Sequence, residues 1–273
     1  MLIVALDTTT PAGSLALWRD NELVEVCSGD AQRTHAERLP SDLITLLTGH
    51  RYTLADVDLF AIVSGPGGFT GLRVGIATIQ GLALVGHRAV FSASTLLLLA
   101  VAAKNAASSS STVQRPLTTD HYSGSTLVGA WMHAARGEVF TALYRPLDDM
   151  HAPRSRVAPL ETNITGRVGL VAIEEASVDT PEGLAARWQA HVPSARLCLM
   201  GDNAGELAEP LRRRFGDGMD LRSPPPLAGV LATLAGALPD LAVPPHAIVP
   251  TYVRRPDAEL ARDRMASPPG SHS

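Results

Sequence analysis

Three groups of residues in this 273-residue chain could do chemistry. The first is Asp7, which closes the apolar run Leu2 to Leu6. A carboxylate at a strand end can position a magnesium ion and a nucleotide. The second is the glycine-rich stretch Ser64-Gly65-Pro66-Gly67-Gly68, followed by a helical pattern from about Thr70. Gly67 and Gly68 permit positive φ and close backbone approach. Thr70 can accept hydrogen bonds from the first free amides of the helix, and a strand–turn–helix unit turns amides and a positive helix end toward an anion. Asp7, Gly67, Gly68 and Thr70 are therefore the candidate nucleotide or anion site. The stretch is not a Walker A loop, which needs a lysine; Arg73 is the nearby cation. The bland alternative is a tight turn without a ligand and a strand-end carboxylate satisfied by turn amides. The third group is His35 with Glu37, readable as an acid–base pair or as the start of a helix.

Metal and nucleophile chemistry find no foothold in the sequence. None of the nine histidines has another histidine four residues later, and HExxH and GxSxG do not occur. Cys27 and Cys198 lie far apart without zinc-ligand spacing, so they read as two reduced thiols. No metal site and no catalytic residue is expected.

These residues must be held by elements that hydrophobic patterning locates. Leu2 to Leu6 reads as a buried strand, Ser14 to Arg19 as a second and Leu23 to Cys27 as a third, with turn signals between them. Leu39, Leu43, Leu46 and Leu47 share one helical face, with Thr34 and Glu37 spaced as a capping box and Pro40 suggesting a later start. A strand from Asp56 to Val63, a helix from about Thr70 to Gly86, a strand at Val90 to Ser92 and a helix from Thr95 to Lys104 follow. The order β-β-β-α-β-α-β-α is that of a ribonuclease-H-like half-domain; a dinucleotide-binding fold would alternate from its first strand. The expected class is α/β, of the actin-like/sugar-kinase ATPase superfamily, with two half-domains, each a mixed sheet with helices on both faces. Residues 1–104 form the first half, completed by the helix 227–238. Residues 105–126 are a flexible Ser-rich insertion, 127–254 a degenerate second half and 255–273 a disordered tail. Val249 to Arg254 reads as a last strand. Gly201 to Gly205 is a candidate remnant of an adenosine loop.

Bulk properties bound the function. An apolar content of 45% with 18% charged residues supports a large core. The net charge of −4 argues against a dedicated nucleic-acid binder, because phosphate contacts demand a basic excess. The N-terminal apolar run is too short for a signal peptide and no stretch is long enough to span a bilayer, so a cytoplasmic protein without membrane contact is expected.

Gly71 and Gly75 lie four apart and share a helix face with Ile79 and Leu82. Small residues at this spacing let a second helix approach closely, either within the chain or from another subunit.

The stretch SGPGGFTGLRVG, the strand ending in Asp7-Thr8-Thr9 and the segment Thr34 to Leu39 together resemble the bacterial TsaB (YeaZ) family. Ala135 to Phe140 is similar to that family's ARxGEVY hairpin, and Pro250 to Arg254 to its PxYLR segment. His133 stands where the family usually carries an acidic residue. The resemblance implies a dimerisation subunit without intrinsic activity, working in the formation of threonylcarbamoyladenosine next to the tRNA anticodon. It implies pairing with a metal-dependent catalytic relative of the TsaD type, which carries HxxxH, and self-pairing when alone. A small P-loop ATPase, TsaE, and tRNA would join through the complex. No tightly bound cofactor is expected, with ATP and magnesium entering only at that level. The candidate interface is Leu39, Leu43, Leu46, Gly71, Arg73, Gly75, Ile79 and Leu82, so an arginine at position 75 is expected to abolish pairing without unfolding the chain. The alternative is an actin-like ATPase or carboxylate kinase using Asp7 and the Gly67-Gly68 loop.

Overall fold

The computed structural model describes residues 1–109, 126–147, 160–191, 196–201 and 205–254. The insertion beyond Ser109, the loop from Asp202 to Ala204 and the tail from residue 255 lie outside the described residues. The chain opens as the expected meander of β1 (Leu2–Asp7), β2 (Ser14–Arg19) and β3 (Glu22–Ser28), paired antiparallel. Asp20 and Asn21 take positive φ in the two-residue turn between β2 and β3, a conformation that short polar side chains tolerate. Helix α1 (His35–Gly49), strand β4 (Leu59–Val63), helix α2 (Phe69–Val85), strand β5 (Ala89–Ala93) and helix α3 (Thr95–Ser109) follow. β4 pairs parallel to β1, and β5 to β4, giving the order β3-β2-β1-β4-β5. β1 is covered on both faces, which is why its sequence is an unbroken apolar run rather than an alternating one.

The second half contains β6 (Leu127–His133), β7 (Val139–Pro146), α4 (Leu160–Arg167), β8 (Leu170–Asp179), α5 (Pro181–Gln189), β9 (Leu197–Gly201), α6 (Glu209–Phe215) and β10 (Met219–Arg222). Its sheet runs β8-β7-β6-β9-β10, with two antiparallel pairings followed by two parallel ones. That is the order of the first sheet, with β6 in place of β1. Asp7 and His133, which end β1 and β6, therefore occupy equivalent positions. Two mixed five-stranded sheets of one topology, with helices packed on them, are the actin-like/sugar-kinase class that the strand order predicts.

Helix α7 (Leu227–Ala237) returns to the first sheet. It is apolar on nearly all sides because it is buried. The Ala228 amide donates to Ser14 Oγ at 3.1 Å, and Gly236 lies so close to the Trp18 ring that no side chain would fit between them. One apolar cluster joins the two sheets through α3 and α7. A second fills the space between the first sheet and α1 with α2, and a third lies between the second sheet and α5 with α6.

Several expectations are corrected. α1 starts at His35 despite Pro40, because the Thr34 capping box sets its first turn and Pro40 faces solvent. α3 continues to Ser109, so the first residues assigned to the insertion are helical. Val249 to Arg254 is not a strand but an irregular strap across the first half. α4 and β10 are elements that the patterning does not announce.

Candidate functional site

The turn after β1 is where the sequence concentrates its chemistry. Asp7 is only 4% exposed, and its Oδ1 accepts from the Thr9 amide at 2.9 Å and from Thr9 Oγ1 at 2.6 Å. Burial pushes the Asp7 carboxyl above its ordinary range; the two Thr9 bonds and the neighbouring His35 pull it partly back. The glycine-rich loop packs directly on this turn. A Cβ on Gly67 would stand 2.5 Å from Thr9 Cβ, and the Gly68 amide donates to the Thr9 carbonyl at 2.8 Å. Thr9 thus fills the space between Asp7 and the loop, and a loop amide suited to an anion is spent on the chain itself. α2 begins at Phe69 with Gly68 at its N-cap and no side-chain cap. Thr70 lies inside the first turn and is exposed, so it does not cap the helix. Asp7, Gly67 and Gly68 are brought together, but as a turn-to-loop contact; this geometry argues against the kinase reading.

The segment Thr34 to Leu39 holds the same turn from the other side. The Thr34 amide donates to Glu37 Oε2 at 2.8 Å, and the Glu37 amide donates to Thr34 Oγ1 at 3.4 Å. Glu37 is therefore a capping residue. His35 Nε2 donates to the Thr10 carbonyl at 2.9 Å, while its Nδ1 accepts from the Arg38 guanidinium at 2.9 Å. These partners fix a neutral imidazole, and burial holds its pKa below the ordinary value. Arg38, 3% exposed, also donates to the Ala12 carbonyl and pairs with Asp42 at 2.9 Å. Gly29 leaves the room that its guanidinium occupies. Sequence reasoning missed this arginine; its four-residue spacing to Asp42 was the available signal.

The eight residues expected at a subunit interface divide sharply. Leu39, Leu43, Leu46 and Ile79 are buried against Leu2, Val4 and Leu6 in the chain's own core, and Leu82 packs partly against it. Gly71 and Gly75 face Thr8: a Cβ on either would stand well under 3.0 Å from it. The close helix approach is therefore an approach of α2 to its own β1 turn. Arg73 alone of the eight is exposed. The outward face of α2 carries a different row at three- and four-residue spacing: Phe69, Arg73, Ala77, Gly81, Leu84 and Val85. Leu84 is 68% and Val85 83% exposed, and a Cβ on Gly81 would meet nothing within 4 Å. Ile44 on α1 is exposed as well.

A cleft of about 690 Å³ opens between the halves. Gly68 and Phe69 line its first wall, His133 and Phe140 the second, and Tyr252 and Arg254 its rim. Arg73 lies 3.9 Å over the Phe69 ring and donates from Nε to Tyr252 Oη at 2.9 Å. His133 thus reaches the cleft while its counterpart Asp7 is buried in its turn.

Comparison with known proteins places this geometry. The family model for TsaD, tRNA N6-adenosine threonylcarbamoyltransferase, matches residues 26–139. The tRNA threonylcarbamoyladenosine biosynthesis protein TsaB of Escherichia coli is 35% identical over 148 residues, 53% of this chain and 55% of that protein. The chain thus spans about half the length of this curated relative. Among solved structures, a Pseudomonas aeruginosa protein described as similar to peptidase YEAZ aligns with a TM-score of 0.66 at 27% identity, over 93% of this chain and 99% of that one. YeaZ from Pseudomonas aeruginosa aligns with a TM-score of 0.61 at 25% identity, over 92% and 100%. With its motifs in order along one shared fold, the chain is similar to the TsaB and YeaZ proteins in sequence over about half of its length and in fold over nearly all of it.

Proposed function

We propose that this chain is a non-catalytic subunit of the machinery that forms threonylcarbamoyladenosine on tRNA, and that it pairs through the outward face of α2 with a metal-dependent relative of the TsaD type. The observation that carries this reading is the exposed row on α2. Ala77 and Gly81 offer a shallow track for a second helix, and Leu84 and Val85 supply apolar area that water otherwise covers. The TsaD family model matches residues 26–139, which include α1 and α2. A partner built with the same helices can replace a second copy in a two-fold pairing, because each side offers the same patch. Alone, the chain pairs with itself by that face. The absence of HxxxH from the sequence supports leaving the chemistry, with its ATP and magnesium, to the complex. tRNA and a TsaE-type P-loop ATPase dock on the assembled pair in the cytoplasm. No helix among the described residues is long and apolar enough to cross a membrane.

Co-purification with a TsaD-type protein, followed by light scattering, tests the proposal. A one-to-one complex is expected, lost in Gly81→Arg without a fall in melting temperature. Threonylcarbamoyl transfer to tRNA by the purified chain alone would overturn the non-catalytic reading.

A further inference from the structure

We infer that the strap from Pro244 to Arg254 is a latch that spans the mouth of the cleft and limits how far the two halves can separate. At its beginning the strap belongs to the first half. Val243 exchanges two backbone hydrogen bonds with Val90 of β5, at 2.8 and 2.9 Å. The Gln80 side chain of α2 donates to the Pro245 carbonyl at 2.9 Å and to the Ile248 carbonyl at 3.0 Å. Ile248 is buried in the cluster beneath α1 and α2. The Thr251 amide donates to the Ser64 carbonyl at 2.7 Å, and its hydroxyl donates to Ser64 Oγ at 3.2 Å. Gly65 stands so close that its Cβ would lie 2.9 Å from the Thr251 carbonyl oxygen. Tyr252 then rests against Phe69, with ring centroids 5.6 Å apart, and accepts from Arg73.

Two residues later the strap reaches the second half. Arg254 forms an ion pair with Glu138, at the end of the turn between β6 and β7, and lies 6.0 Å from the Phe140 ring centroid. Val253 packs on the cluster that joins the sheets. From Thr251 to Arg254 there are three backbone steps, which span at most about 11 Å when fully extended. The halves therefore separate only slightly before either the Thr251–Ser64 bonds or the Arg254–Glu138 pair must break. At the back of the cleft the apolar cluster around α3 joins the sheets and serves as the hinge. The two ends of the latch are unequal. Thr251 is held by a backbone hydrogen bond to a buried loop, whereas Arg254 and Glu138 are a partly exposed ion pair that salt weakens. Release occurs at the Arg254 end, leaving the strap seated on α2. Tyr252 and Arg254 also line the cleft, so an occupant of the cleft meets the latch itself.

Pulsed electron resonance between spin labels tests this. With Cys27→Ser and Cys198→Ala as background, labels at Ser41→Cys on α1 and Arg213→Cys on α6 report the distance between the halves. One narrow distance distribution is expected at low salt, about twice as broad in Arg254→Ala. The charge exchange Arg254→Glu with Glu138→Arg is expected to restore the narrow form. In the protein with its latch intact, raising sodium chloride to about 1 M is expected to broaden the distribution in the same way. An Arg254→Ala width equal to that of the intact latch overturns the inference. So does a width that salt leaves unchanged, a result that needs no change in the latch and stands even if Arg254→Ala fails to fold.

Discussion

Helix α2 has two faces that look alike in sequence and do opposite things. On the inner face Gly71 and Gly75 are four apart and already filled, because Thr8 sits against both. On the outer face Ala77 and Gly81 are also four apart, and the space over Gly81 is open. The inner pair lets the helix settle on the turn after β1. The outer pair leaves a track flanked by Arg73 and Phe69 at one end and by Leu84 and Val85 at the other. A small-residue spacing thus reports a close approach without saying whose. On the inner face the approach is spent on folding, so only the outer face is available for pairing.

Substitutions that treat the two faces alike break the comparison most strongly. Gly75→Val is expected to destabilise the chain by about 3 kcal/mol, since a branched side chain must displace buried Thr8. Urea titration measures it, and an unchanged midpoint would refute the filled inner face. An arginine at position 75 is likewise expected to unfold the chain, contrary to the expectation that it would abolish pairing in a folded one. Gly81→Arg sharpens the contrast. Stability is expected to hold or rise by up to about 1 kcal/mol, because glycine is a poor helix former, while self-association falls by an order of magnitude or more in sedimentation. An unaltered dimer would remove the outer face from the interface. Thr34→Ala removes the capping box at the start of α1 and is expected to cost about 1 kcal/mol, read from the thermal midpoint, without changing association.

The smallest expected effect is a slope. His35 is held below its ordinary pKa chiefly by burial. Between that lowered value and the unfolded value of about 6.5, the unfolded chain binds the proton and the folded chain does not. Stability is therefore full above about pH 6.5 and is lost as pH falls toward the folded value. Asp7 acts with the opposite sign: its raised carboxyl makes the fold bind the extra proton, so its contribution declines as pH rises above about 4. Melting curves across pH for His35→Gln should show a shallower loss on the acid side. An identical profile would mean that the imidazole is not the buried, neutral group seen between Thr10 and Arg38.

Legibility in the sequence follows the range of the interaction. The capping box, the meander and the strand–turn–helix order of the first half were readable, because each depends on residues within a few positions of one another. The second half was harder. β8 runs ten residues on the edge of its sheet, half-exposed along most of its length, so no continuous apolar run marks its extent. β10 has four residues and is a strand only because β9 lies beside it. Pro250 to Arg254 has strand-like composition, yet its amide and hydroxyl bonds go to Ser64 and its charge to Glu138.

Local sequence was enough for the order of the elements in the first half, the glycines at 67, 71 and 75 as points of close approach, the absence of an HxxxH pair and the family resemblance. Periodicity fixes which residues share a face and local chemistry fixes where a helix starts. The tertiary structure decided what each face meets. Thr8 against Gly75, Thr9 between Asp7 and Gly67, and Arg254 on Glu138 join positions from 58 to 116 residues apart. Such contacts exist only once the sheets have packed, and no local pattern encodes their partner. The same physics buries the leucines of α1, turns Asp7 inward and leaves the outer row of α2 in water.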